Sequence, residues 1–365
     1  MPLGAAKAVL LGAAGVAGGP KLSGGIAFTY GGADFMKFTS SGTLTIEGSG
    51  LVDYIVVGSG AGGAGATNSN NGNTGGGGGG GVAWGTNYLI DDAVRTTFAI
   101  TIGAGGSGGS GANGSRGGNS SINDWGAAND TANFDWLGGS SYSSTADLVG
   151  ASGGGGGGRG DWTTALTGEI GTFGSVVATT STDWASGGGG GGGGAWIPSY
   201  SRANGGAGGA SFFNNANGSG IDTITNENND ATIGTHYVVG VQGTLTNGSY
   251  SPSTPYQGLR GQAGLQGTAA SPVFPVSGSF GQDIVAPYQG FQWLDGARYG
   301  TPGTGGIGSW NDSADGGGQG LTAGGPVNGL ANQGGGGAGG TAASAGVGAT
   351  GGNGGSGIVI IRVQP

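Results

Sequence analysis

Two rhythms of side chains run along this chain. The first has period two. Residues 26–30 (Ile-Ala-Phe-Thr-Tyr), 35–38 (Phe-Met-Lys-Phe) and 43–46 (Thr-Leu-Thr-Ile) are short β-branched or aromatic runs separated by Gly and Ser, a pattern that predicts strands. Residues 52–57 (Val-Asp-Tyr-Ile-Val-Val) and 358–363 (Ile-Val-Ile-Ile-Arg-Val) are stronger runs, and residues 96–102 (Thr-Thr-Phe-Ala-Ile-Thr-Ile) alternate cleanly. Together they predict a small sheet, built from segments far apart in sequence, that closes the body at one end.

The second rhythm has period three. Between 103 and 119 the non-glycine positions are Ala104, Ser107, Ser110, Asn113, Arg116 and Asn119, with Ala112 and Ser115 as the exceptions. Between 338 and 356 they are Ala338, Thr341, Ser344, Val347, Thr350, Asn353 and Ser356, with only Gly or Ala in between. Asn204, Ala207 and Ala210 repeat the spacing. Three residues per turn is polyproline-II geometry, in which the backbone N–H and C=O groups have no internal partners. Where side chains are missing, neighbouring backbones can approach and satisfy each other. The expected fold is therefore mostly irregular and all-β: a polyglycine-II helix bundle closed by a small β-sheet, with long loops. The expected organisation is an N-terminal docking arm (1–24), a β-strand segment leading into the body (25–58), and a glycine-rich body with inserted loops and a closing C-terminal strand (59–365).

Composition supports a core of peptide groups. Glycine supplies 100 of 365 residues, and only 35% are hydrophobic, so a hydrocarbon core spread over the whole length is not expected. Collagen is excluded, because 11 prolines and no continuous triplet cannot make its triple helix. A free Gly/Ser linker is the bland alternative, and the strong strands that bracket the glycine runs argue against it. Glycine in a regular element costs roughly 0.5–1 kcal/mol more than alanine, while a net backbone hydrogen bond returns about 1 kcal/mol. Such a core is favourable only when each tract has several neighbours.

Charge and motifs narrow the function classes. The net charge is −9, and the 10 Lys and Arg are scattered, so no nucleic acid is expected as a partner. No apolar run reaches the ~20 residues a membrane span needs, so no membrane insertion is expected. Residues 58–63 (Gly-Ser-Gly-Ala-Gly-Gly) fit a dinucleotide fingerprint, but that motif must open a helix, and polyglycine follows instead. His236 is the lone histidine, which leaves no His-based triad or metal cluster. Asp91 and Asp92, and the set Asp222, Glu227 and Asp230, read as turn and surface chemistry. The expectation is no enzyme, no cofactor and no metal. Residues 1–19 are apolar and small, with Leu3, Val9, Leu10, Leu11 and a single Lys7. They read as an arm held by a partner or by sister subunits rather than as a cleaved leader.

At this point a family resemblance appears. Residues 38–46 (Phe-Thr-Ser-Ser-Gly-Thr-Leu-Thr-Ile), 53–58 (Asp-Tyr-Ile-Val-Val-Gly), 98–106 (Phe-Ala-Ile-Thr-Ile-Gly-Ala-Gly-Gly), 117–121 (Gly-Gly-Asn-Ser-Ser) and 354–362 (Gly-Gly-Ser-Gly-Ile-Val-Ile-Ile-Arg) follow one another in order. This order resembles the glycine-rich domains of bacteriophage virion proteins, among them tail-fibre and tail-tip adhesins with polyglycine-II cores. The resemblance implies location in the virion and a tail-fibre or tip adhesin that contacts the host surface. The alternative is a capsid-attached fibre or decoration protein with a purely architectural role. It implies other virion proteins as partners, and a homo-oligomer is expected.

Recognition would fall to the long inserts, which carry most of the aromatic and amide side chains. Trp84, Trp162, Trp184 and Trp196 lie beside polyglycine and read as flat caps on the glycine core. Trp125, Trp136, Tyr142, Trp293 and Trp310 lie farther into inserts or between short glycine runs. They are the receptor-contact candidates, with rings suited to stacking on a host surface glycan.

Overall fold

The computed structural model describes residues 19–65, 74–125, 148–159, 291–301, 303, 328–340 and 350–364, together with short strand segments between 184 and 238. In chain order the strands are β1 (Lys21–Ser23), β2 (Ile26–Tyr30), β3 (Ala33–Phe38), β4 (Gly42–Glu47), β5 (Gly50–Val57), β6 (Val82–Ile90), β7 (Thr97–Thr101), β8 (Ser120–Ile122) and β9 (Val149–Ala151). Then come β10 (Trp184–Ser186), β11 (Ala195–Trp196), β12 (Ser201–Arg202), β13 (Ser211–Asn214), β14 (Ile221–Ile224), β15 (Ala231–Ile233), β16 (His236–Val238), β17 (Phe291–Gln292), β18 (Arg298–Tyr299) and β19 (Ile358–Val363).

These strands build two large sheets. One has eight strands in the order β1-β4-β7-β8-β9-β10-β13-β14, and the other has seven in the order β15-β16-β6-β5-β19-β3-β2. Pairing is antiparallel except between β9 and β10. The strand period decides which face each residue takes. Val52, Tyr54 and Val56 of β5, with Val359 and Ile361 of β19, face Leu44, Ile46, Phe98, Ile100 and Ile122 of the other sheet in one buried cluster. Ile55, Val57, Ile358 and Ile360 face the opposite way, into a second cluster covered by Trp293 and Tyr299 of the β17–β18 hairpin. Two buried faces explain why β5 and β19 read as continuous apolar runs.

The expected polyglycine-II helix bundle closed by a small sheet is corrected by this architecture. The described residues contain no helix, and sheets of seven and eight strands carry the structure. The physical reason is the side-chain content of the strands that flank the glycine runs. They hold enough β-branched and aromatic residues to close a two-sheet hydrocarbon core, so the sheets are the frame rather than a lid.

The glycine runs continue those strands as extended segments. β5 runs into residues 58–65, residues 74–81 run into β6, and residues 350–357 run into β19. Along 58–65 the amide donors turn through three neighbours in rotation. Gly58, Ala61 and Ala64 donate to Gly81, Gly78 and Gly75; Ser59, Gly62 and Gly65 donate to Gly118, Ser115 and Ala112; Gly60 and Gly63 donate to Gly355 and Gly352. The carbonyls bind three further segments, through the amides of Gly154 and Gly157, Gly106 and Gly109, and Gly337 and Gly340. Every amide of 58–65 donates at 2.9 to 3.0 Å, within the normal range. The same rotation appears in exposure: Ala104, Ser107 and Ser110 are exposed, while Gly106 and Gly109 are buried.

Polar side chains finish what the backbone leaves open. The buried Thr74 hydroxyl lies 2.8 Å from the Ala64 carbonyl and 2.7 Å from that of Gly340. Asn119, Asn113 and Asn353 accept from the amides of Gly153, Arg159 and Gly108 through their side-chain carbonyls.

Close approach makes the core intolerant of a side chain. A Cβ at Gly60 would lie 1.9 Å from the Gly335 carbonyl oxygen, and backbone cannot swing aside as a flexible side chain can. Gly60→Ala should therefore destabilise the protein by about 3 kcal/mol or more, at or beyond the top of the usual overpacking range. Ser107→Ala, at an exposed position, should leave the melting temperature within error of the parent. Thermal denaturation of both variants checks this, and equal melting would contradict the assignment.

Candidate functional site

Aromatic side chains gather in the inter-sheet core. Trp125, just past β8, is fully buried. Its ring stacks on Tyr88 with centroids 5.1 Å apart and meets Tyr54 and Phe98 edge-on at 5.5 and 5.2 Å. The Tyr88 hydroxyl donates to the Trp125 carbonyl. Asp124, held by Arg95, turns the chain there with φ of 57°. Trp293 is 5% exposed and meets Phe35 edge-on at 6.0 Å. Both rings are thus packed within the core and present no open face at the surface. Trp136, Tyr142 and Trp310 lie outside the described residues. The five candidates are thus not brought together into one described surface.

The outer face of the seven-stranded sheet carries two polar devices. Asp53 is 2% exposed. It pairs with Arg362 at 3.0 Å and accepts from the Gln364 amide at 2.6 Å, joining residues far apart in sequence across the β5–β19 ladder. Tyr299, also buried, donates to Asp295 at 2.5 Å. Burial, reinforced by the hydrogen bond to Asp295 and by its negative charge, pushes the Tyr299 phenol well above the ordinary tyrosine range.

The other motifs have structural roles. Residues 58–63 form the middle of the glycine region, where their amides are spent on neighbouring segments rather than left to cradle a phosphate. Asp91 accepts from the Ser49 hydroxyl and the Ala93 amide, and Asp92 accepts from the Gly48 amide, which ties two turns together. His236 opens β16, opposite Gly85. Asp222 lies in β14, while Glu227 and Asp230 fall outside the described residues. Among the described residues no three His, Asp or Glu side chains converge as metal ligands.

One surface feature was not anticipated from sequence. Among the described residues β1 ends the eight-stranded sheet and β2 ends the seven-stranded sheet, and the two are joined through Gly24 and Gly25. Between them opens a cleft of about 650 Å³. Leu22, Ala27, Phe28, Met36 and Val363 form apolar walls, with Lys21 and Asp34 also lining it. The period-two runs located β2 in the sequence, whereas β1 fell within the expected docking arm (1–24). Nothing in the sequence showed that both would be left at open edges.

Residues 38–196 match the family described as a glycine-rich domain, a match that covers less than half of the chain. No curated protein matches the chain. The chain thus carries a glycine-rich domain, and the match spans β4 to β11 with the glycine segments between them.

Two outcomes follow from the buried rings. Trp125→Ala should cost about 3–5 kcal/mol, the usual range for emptying a tryptophan site in a core, read as a lower denaturant midpoint. A stable Trp125→Ala protein would contradict the packing role. Unfolding should also be promoted by alkali. The unfolded Tyr299 phenol ionises near pH 10 while the folded one stays protonated. Its contribution is therefore complete below pH 10 and is lost as pH rises past that value. Tyr299→Phe should flatten the alkaline fall in stability measured between pH 9 and about 11.5.

Proposed function

We propose that this chain is a non-enzymatic structural protein of a bacteriophage virion, acting in a tail fibre or tail tip. The observation that carries the reading is the peptide-packed centre of the glycine-rich domain. A segment that hydrogen-bonds to six neighbours forms a stiff body from residues with almost no side chains, and such a body suits a fibre that must transmit contact without deforming. The ordered motifs from residue 38 to 121 and from 354 to 362, which resemble those of phage tail-fibre and tip adhesins, give the stiffness its biological setting. Inserts carrying Trp136, Tyr142 and Trp310 would then meet a host surface glycan by ring stacking and amide hydrogen bonds. Single contacts of that kind are weak, and several copies in a homo-oligomer would raise avidity.

A second reading is favoured by one specific observation. Trp125 and Trp293 are buried, so two of the five receptor candidates serve the core. That fits a capsid-attached fibre or decoration protein with a purely architectural role. Gold-labelled antibody on intact phage particles distinguishes the readings. Label at the tail tip or fibres is the expected result, label on the head selects the architectural reading, and purified particles that take no label overturn both.

A further inference from the structure

Open sheet edges normally carry protection against pairing: charge, proline, a bulge or a cover. β2 has none of the first three among its five residues, Ile26, Ala27, Phe28, Thr29 and Tyr30. Ile26 and Tyr30 are 52% and 51% exposed. The turn into β3 is made by Gly31 and Gly32 with φ of 58° and 82°, a two-residue turn of the type I′ class. In that hairpin Tyr30 and Ala33 form a hydrogen-bonded pair, and the antiparallel alternation then turns the N–H and C=O of Ala27 and Thr29 outward. Both residues line the cleft. One wall of the cleft therefore offers main-chain hydrogen bonds, while Leu22, Met36 and Val363 offer apolar contact. This combination selects an extended, apolar chain segment.

We infer that the cleft between β1 and β2 receives the apolar run Ala8, Val9, Leu10 and Leu11 from the N-terminal segment of a second copy of this chain, so that neighbouring copies exchange arms. Residues 1–18 precede Gly19, and Gly19 and Pro20 themselves line the cleft. The arm thus starts where the receptor lies. Seven residues lie between Leu11 and Gly19, and the eight chain steps reach at most roughly 28 Å, which is enough to cross to an abutting copy. A Cβ at Gly19 would lie 2.6 Å from Val363 Cγ1, so the chain is packed closely against β19 at that point. Lys7, the one charged side chain of residues 1–18, would meet Asp34 on the receiving copy. A two-fold axis beside the paired edges makes the exchange reciprocal, with each copy giving and receiving one arm. The inference goes beyond the virion reading and fails or stands apart from it.

The chain has no cysteine, so engineered thiols report without background. A tagged full-length chain carrying Val9→Cys, Leu10→Cys or Leu11→Cys would be co-expressed with an untagged full-length chain carrying Ala27→Cys and mildly oxidised. The expected result is a disulfide-linked heterodimer as the dominant species on a non-reducing gel for at least one of the three positions. Val94→Cys, at an exposed position outside the cleft, should give none in place of Ala27→Cys. Circular dichroism would confirm that each variant is folded. A double variant, Leu10→Cys with Ala27→Cys, that closes only within one chain would overturn the exchange. So would a parent chain that is monomeric by light scattering, or linkage to Val94→Cys as strong as to Ala27→Cys.

Discussion

The structure depends on one constraint: the backbone of residues 58–65 must be approached from all sides by other backbones. Each amide there finds a carbonyl on one of three neighbouring segments, and the carbonyls serve three more. A peptide group buried without a partner costs far more than a made hydrogen bond returns, so this packing is all or nothing. Glycine is the residue that allows it. At Gly62 a Cβ would fall 2.0 Å from the Ser107 carbonyl oxygen, well inside contact distance.

The two-sheet frame brings those segments into register. Glycine segments have no side-chain knobs to set their alignment, so alignment has to be imposed from their ends. β5, β6, β7, β8, β9 and β19 each lead into or out of a glycine segment, and the ladders between these strands fix where each segment starts. The Asp53–Arg362 pair and the Gln364 contact lock β19 against β5. The aromatic cluster around Trp125 fills the space between the sheets. Hydrocarbon packing thus sets the register, and peptide hydrogen bonding extends it beyond the reach of any side chain.

The same division of labour bears on what the surface can do. A core that uses almost no side chains leaves the large ones for frame and inserts. Trp125 and Trp293 belong to the frame, where they cover area that glycine cannot. The exposed positions of the glycine region carry mostly small residues, such as Ala104, Ser107, Ser110 and Thr350, besides Arg116, and Asn353 spends its side-chain carbonyl on the Gly108 amide.

The sequence by itself determined part of the frame. Alternating or continuous apolar runs marked β2, β3, β4, β5, β7 and β19, because strand-forming residue types are legible locally, whereas β1 (Lys21–Ser23) and β6 (Val82–Ile90) were not among the marked runs. Period three marked Ala104, Ser107 and Ser110 as outward positions, because a missing Cβ is legible one residue at a time. Only the tertiary structure decided how the elements assemble. Sheets of seven and eight strands replaced the small closing sheet, since strand pairing such as Val57 with Ile358 joins residues too distant for any local pattern to record. Burial of Trp125 was hidden for the same reason: its partners Tyr54, Tyr88 and Phe98 come from three other segments, and an Asp-Trp pair in an insert looks alike whether its ring meets solvent or a core. The open edge at β1 and β2 was also invisible, because an edge is defined by the neighbour a strand lacks, and only the assembled sheets reveal that.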